Sequence, residues 1–184
     1  MPRRRYYRRS ARVIVPKKKW ASNMTLSYMQ MTVSSGSASD VALLVTNSSQ
    51  TSIPTPVIIK TGNFKIQGDC IFSSGSGLQT GVMIALYIVY LPESTVGPDA
   101  DYDKIISSHP EWVLGWKYID TSYVGNPGTS AVNNSSGFTF SSRLKRNLNS
   151  GDSIGLVALV HNAGSSPGMN LRINYGAQWW TCSN

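Results

Sequence analysis

The run Val82–Leu91, VMIALYIVYL, stands between Gly81 and Pro92 and decides the fold class. It is apolar throughout, rich in β-branched and aromatic side chains, and shows no strict alternation. It is about half the length that a membrane-crossing helix needs. A short, unbroken, β-favouring run bounded by turn residues reads as a strand covered on both faces.

Working outward from it, the chain keeps the same texture. Met24–Val33, Val41–Thr46, Val57–Phe72, Trp112–Asp120, Phe138–Arg146, Ser153–His161 and Met169–Thr181 are further strand candidates, which makes eight with Val82–Leu91. Thr61-Gly62-Asn63 marks a turn or bulge inside the third. The joints Ser34–Asp40, Asn47–Pro56, Ser73–Thr80, Thr121–Ser136 and Asn162–Gly168 are rich in Ser, Gly, Pro and Asn. Asn149-Ser150-Gly151-Asp152 should close a tight connection. Asp99–Ser107, within the long connection Pro92–Pro110, has the composition of a short helix. Eight strands at this spacing, in a chain of 184 residues, predict a single all-β sandwich or barrel.

Charge divides the chain unevenly. Residues 1–19 hold Arg3, Arg4, Arg5, Arg8, Arg9, Arg12, Lys17, Lys18 and Lys19 and no acid. Residues 20–184 hold the other eight basic groups against all nine acids, so the body carries a net charge of only −1. We therefore read residues 1–20 as a basic arm and residues 21–184 as the folded domain. Arginine makes forked, charge-assisted bonds to phosphate and stays charged at any physiological pH. Tyr6, Tyr7 and Trp20 are interleaved with the cations, and unpaired bases stack on such rings. The arm thus predicts binding of single-stranded nucleic acid without base specificity. A second basic cluster, Arg143, Lys145 and Arg146, either extends that surface or guards a strand edge against aggregation. Arg3, Arg4 and Arg5, with Lys17, Lys18 and Lys19, also have the composition of nuclear-import signals. Competing readings of the arm are a disordered tail without one partner, a transit peptide, and a segment lying on anionic lipid. Val13-Ile14-Val15-Pro16 breaks the amphipathic helix that transit requires.

Motifs for chemistry are sparse. The two histidines, His109 and His161, do not sit in a Cys/His pattern with metal spacing. Asp99, Asp101 and Asp103 begin like a calcium loop, but Lys104 replaces its glycine and Pro110 its bidentate glutamate. The glycines from Gly75 to Gly81 fit neither a dinucleotide fingerprint nor a P-loop. No catalytic residues, no metal and no cofactor are expected, and the chain is read as a non-enzyme. Cys70 and Cys182 are expected to be buried small hydrophobes in a reducing compartment. The basic start leads only to a short apolar stretch, so no secretory signal is expected, and the N-x-Ser/Thr sites at Asn23, Asn47, Asn133 and Asn134 are read as loop chemistry. Of the tryptophans, Trp112 and Trp116 should share a strand face, while Trp179 and Trp180 should point to opposite faces.

The combination PRRRYYRR, PKKKW and an eight-strand domain resembles capsid proteins of small circular Rep-encoding single-stranded DNA viruses. KTGNFKIQGDCIFSS, MIALYIVYLPE, HPEWVLGWKYI and RLKRNLNSGDSIGLVAL are similar to circovirus-like capsid segments. The resemblance covers residues 1–20 and about 57–180. It implies an eight-stranded viral jelly roll of two packed antiparallel sheets, in a small icosahedral shell with one subunit per asymmetric unit. It further implies that the arm binds the single-stranded DNA genome and directs import into the host nucleus. The partners implied are other copies of the chain, the host nuclear import machinery and an unknown host cell receptor; the locations are the virion and the host nucleus. The arm is shorter than in typical circoviruses. The competing function is a cellular, sequence-independent nucleic-acid-binding β-barrel. An enzyme, or a glycan-binding module with an incidental basic tail, is the third possibility.

Overall fold

The computed structural model describes residues 19–33, 36–49, 57–74, 82–97, 100–119, 132–162 and 169–183. Eight strands form: β1 Ala21–Val33, β2 Gly36–Thr46, β3 Ile59–Ser74, β4 Val82–Leu91, β5 Val113–Ile119, β6 Val132–Leu148, β7 Ser153–Asn162 and β8 Met169–Ser183. They make two four-stranded antiparallel sheets, sheet 1 in the order β1-β8-β3-β6 and sheet 2 in the order β2-β7-β4-β5. The pairing is nested: first strand with last, second with seventh, third with sixth, fourth with fifth. The chain is one long hairpin folded over on itself, joined laterally by β3–β8 and β4–β7. That is the jelly roll, an open two-sheet sandwich rather than a closed barrel.

Alternation places the core. Met29, Val33, Phe64, Ile66, Cys70, Phe138, Leu171, Ile173, Tyr175, Ala177 and Trp179 of sheet 1 meet Ile84, Leu86, Ile88, Ile154, Leu156, Ala158 and Val160 of sheet 2. Ile84–Leu91 is covered on both sides, as the unbroken apolarity of the run predicts, while Met83 near its start is exposed. Beyond a register shift between Ile88 and Val89, Val89 and Leu91 join Val157, Leu159 and Tyr102 in a second cluster. That cluster is roofed by helix α1, Tyr102–Ser108, through Ile105 and Ile106. Burying each such side chain contributes about 1.5–3 kcal/mol.

Both cysteines are buried, and burial, with the nearby Asp69 charge, pushes the Cys70 thiol up to about 12. The expected irregularity at Thr61-Gly62-Asn63 is a bulge: Asn63 takes φ 55° and the β3–β6 register shifts there. The tight Asn149–Asp152 turn is present, with Gly151 at φ 85°. A Cβ at Gly151 would collide with the Glu93 side chain.

Five local expectations are corrected. Ser34–Asp40 was expected as a joint, but Gly36–Asp40 pairs with Ala158–Asn162 of β7. Within Ser73–Thr80 and Thr121–Ser136, likewise, Ser73 and Ser74 extend β3, and Val132–Ser136 pairs with Cys70–Ser74. Their polar, turn-favouring composition is overridden by ladder hydrogen bonds to a strand distant in sequence. Trp112 does not begin β5. Pro110 starts a 3-10 turn, Pro110–Trp112, which rotates Trp112 off the strand. Its ring stacks on His109 with centroids 3.9 Å apart, so Trp112 and Trp116 share no strand face. The helix starts slightly later than composition suggested, because Asp101 caps it by accepting from the Lys104 N–H.

A polar node ties the two sheets together at one end. Buried Asp152 accepts from the Tyr90 hydroxyl at 2.7 Å, the Asn149 N–H at 2.8 Å and the Glu93 N–H at 3.3 Å. Buried Asn47 donates its amide to the Val57 carbonyl at 2.7 Å and the Leu148 carbonyl at 2.9 Å. The two residues are joined by the Asn47 N–H on the Asp152 carbonyl at 2.9 Å. Removing the carboxylate strands three donors, each costing about 1–3 kcal/mol. Asp152→Ala is therefore expected to lower stability by about 3 kcal/mol in denaturant titration, and an unchanged midpoint would refute the node's importance. Burial, then the Asp152 hydrogen bond, pushes the Tyr90 phenol up to about 12 from 10.0. Its share of stability is complete below pH 10 and is lost as pH rises through about 12. Tyr90→Phe should flatten the fall in unfolding midpoint across that window.

Candidate nucleic-acid interface

Residues 1–18, which include Arg3, Arg4, Arg5, Tyr6, Tyr7, Arg8, Arg9, Arg12, Lys17 and Lys18, lie outside the described residues. Lys19 and Trp20 are described and exposed, and they lead directly into β1, an edge strand of sheet 1. The arm is thus attached to sheet 1.

Alternation along the strands of sheet 1 sends one set of side chains away from the core. On β1 these include Met24, 67% exposed, Leu26, 74%, and Tyr28, 55%. On β8 they include Arg172, Asn174, Gly176, Gln178 and Trp180, and on β3 Lys65, Gln67 and Asp69. Three cations on this face lie over aromatic rings. The Arg172 guanidinium is 4.5 Å from the Tyr28 centroid. Lys145 Nζ is 5.3 Å from Trp20, and Lys65 Nζ is 5.8 Å from Trp180. All three fall within the reach of a cation–π interaction. Trp179 and Trp180 do point to opposite faces, Trp179 into the core and Trp180 out beneath Lys65.

The cluster Arg143, Lys145 and Arg146 is divided between two faces, because Lys145 and Arg146 are consecutive in an alternating strand. Gly62 and Lys145 face each other, and a Cβ on Gly62 would overlap the lysine stem. Lys145 is thereby directed toward Trp20, at the root of the arm. Arg143 is exposed on the bulge itself. Arg146 turns the other way: its guanidinium lies 5.4 Å from the Tyr90 ring and donates to the Glu111 carbonyl. Arg146 joins the sheet 2 side and leaves the surface on which the sequence reading grouped it. The sequence reading did not group Lys65, Arg172, Tyr28 and Trp180. Period-two alternation makes their faces calculable, but their proximity depends on which strands are neighbours.

The near-neutral body is electrically polarised. The strands of sheet 1 carry Lys60, Lys65, Arg143, Lys145, Arg146 and Arg172 against Asp69 alone. The rest of residues 20–184 carries Lys104 and Lys117 against eight acids. Among these, Asp40 is on β2, Asp101 and Asp103 are at α1, Glu93 and Glu111 flank the connection between β4 and β5, and Asp152 precedes β7. Among the described residues the one ion pair is His109–Glu111 at 3.1 Å, so the sheet 1 cations have no carboxylate partner there.

Elsewhere the residues weighed for chemistry do local work. His109 packs on Trp112 and bonds Glu111, and His161 is exposed at the end of β7. Asp101 is a helix cap. Asp99 and the loop 75–81 lie outside the described residues. Among the described residues no group of three or more His, Cys, Asp or Glu side chains gathers in a metal-binding arrangement. A separate apolar patch, of Met83, Trp116 and Tyr118, is exposed on sheet 2 beside its edge strand β5, with Trp116 at 64%.

No protein-family model and no curated protein matches the chain. Among solved structures it is similar to that of the Gx strain of infectious bursal disease virus, at 12% identity and a TM-score of 0.38, over 94% of this chain and 36% of that one. It is also similar to the VP2 subviral particle of infectious bursal disease virus, at 10% identity and a TM-score of 0.28, over 100% of this chain and 46% of that one. T=1 particles derived from the same virus give 10% identity and a TM-score of 0.28, over 100% and 44%. The chain spans less than half the length of these proteins, and its jelly-roll assignment rests on its own strand order.

Proposed function

We propose that the chain is a structural protein, the capsid subunit of a circovirus-like virus, and that its arm packages single-stranded DNA. The observation that carries this reading is the attachment of a nine-cation arm to the edge strand of an eight-stranded jelly roll. A fold alone does not specify a function; the arm supplies the ligand chemistry, and the resemblance of the body's segments supplies the viral context. A body with few charges and an exposed Met83–Trp116–Tyr118 patch suits a subunit whose sides are hidden against neighbours. Tryptophan and tyrosine are the residues that most often anchor such contacts. On this reading the arm also delivers the protein to the host nucleus before assembly, through the clusters Arg3–Arg5 and Lys17–Lys19.

Electron microscopy of the expressed chain should reveal closed particles of uniform diameter. A monomer that persists across salt, pH and added nucleic acid would overturn the capsid reading. Nine phosphate-bound cations on a single strand account for a salt slope of about −6 in log affinity against log salt concentration. Deleting residues 2–19 should remove most of that slope and abolish nuclear accumulation in transfected cells, while leaving the unfolding transition in place. Retention of the full slope after deletion would show that the arm is not the binding element.

A further inference from the structure

We propose that the outward face of sheet 1 is a second nucleic-acid track, on which a single strand lies after the arm has captured it. This rests on the nucleic-acid reading of the arm and extends it to the folded domain. Phosphates are held by Lys65, Arg143, Lys145 and Arg172, and bases lie against Trp20, Tyr28 and Trp180.

Three independent observations point there. The first is charge. Sheet 1 holds nearly all the cations of the body, unpaired with carboxylates among the described residues, while the acids collect on sheet 2 and the connections that flank it. The one acid within the strands of sheet 1, Asp69, accepts from the Asn174 amide at 3.2 Å. A nearly neutral domain is thus a dipole whose positive side bears the arm, and a polyanion turns that side toward itself.

The second is the pairing of Lys65, Lys145 and Arg172 each with an exposed or half-exposed ring. A cation on an aromatic platform binds phosphate while the neighbouring base stacks, and stacking on side chains is open to unpaired bases but not to a closed duplex. The third is shape. Between Leu26 of β1 and Gly137–Thr139 of β6 runs an open groove of about 650 Å³. Gly176 forms part of its lining, together with the polar groups of Gln67 and Asn174 and the Asp69 carboxylate that Asn174 bonds. Helix α1 covers sheet 2 and leaves this face clear. Along β1 the track from Tyr28 back to Trp20 is about 27 Å at the rise of an extended strand. Its Trp20 end is the root of the arm, so a strand held by the arm meets the track at high effective concentration.

The test uses the full-length chain carrying Lys65→Gln, Lys145→Gln and Arg172→Gln together. The probe is a mixed-sequence single-stranded oligodeoxynucleotide, with the annealed duplex as competitor. Loss of three phosphate contacts should make the salt slope shallower by about 2. Ultraviolet cross-linking of the unaltered chain should map to Trp20, Tyr28 or Trp180, and excess duplex should compete poorly. Lys104→Gln with Lys117→Gln, which lies off this face, should leave the slope unchanged. An unchanged slope in the triple variant, with binding still lost on deletion of the arm, would overturn the track and leave the proposed function standing. An unchanged slope accompanied by loss of particles would assign the face to a second copy of the chain and equally overturn it. Failure of the unaltered chain to bind or assemble would instead overturn the proposed function.

Discussion

Apart from β4 with β5, the strands of this domain pair with partners distant along the chain, and the outermost pair, β1 with β8, governs the rest. β8 lies between β1 and β3 and supplies the hydrogen bonds of both. Without it, sheet 1 separates into a lone β1 and the β3–β6 pair, and the apolar faces of Phe64 and Ile66 lose Ile173, Tyr175 and Ala177 beside them. Loop-closure entropy opposes pairings of such long sequence separation until many contacts form together. The node of Asn47, Asp152 and Tyr90 matters in this light, because it fastens the β6–β7 turn to the ends of β2 and β4, where three separate parts of the chain must meet.

The nested hairpin also explains how one sandwich holds two chemistries. Sheet 2 is apolar on both faces, which forces a roof over its outer side, and α1 with Tyr102, Ile105 and Ile106 provides one. Sheet 1 alternates, so its outer face is polar or amphipathic and is left open to ligands. Lys65, Arg143, Lys145 and Arg172 occupy that open face, while the described acids other than Asp69 sit on β2, at α1 and in the connections beside sheet 2. Segregation of charge therefore follows from which sheet needs covering. The arm enters on the open face because β1 is an edge strand there.

Much of the fold was legible in the chain. All eight strands, the buried stretch Ile84–Leu91, the bulge at Asn63 and the turn at Gly151 follow from apolar pattern and from residues that tolerate positive φ. The strand extensions Gly36–Asp40 and Val132–Ser136 were not legible, because their Ser, Asn and Gly composition favours turns and only a distant ladder holds them extended. Trp112 was misplaced for a local reason, since Pro110 begins a 3-10 turn that rotates its ring onto His109. In the candidate interface, the arm was visible as a run of like charge. Arg146 follows Lys145 directly, so strand alternation alone turns it to the opposite face, toward Tyr90 and Glu111.

Sequence by itself determined the class of the fold and the chemistry of the arm, because hydrophobic period and charge runs are local properties of a chain. Tertiary structure alone decided that Lys65 meets Trp180, that Arg172 meets Tyr28, that Lys145 meets Trp20, and that a body of net charge −1 is basic on one sheet and acidic around the other. Those juxtapositions join residues far apart along the chain. Their proximity is set by strand order and register, which no window of sequence contains.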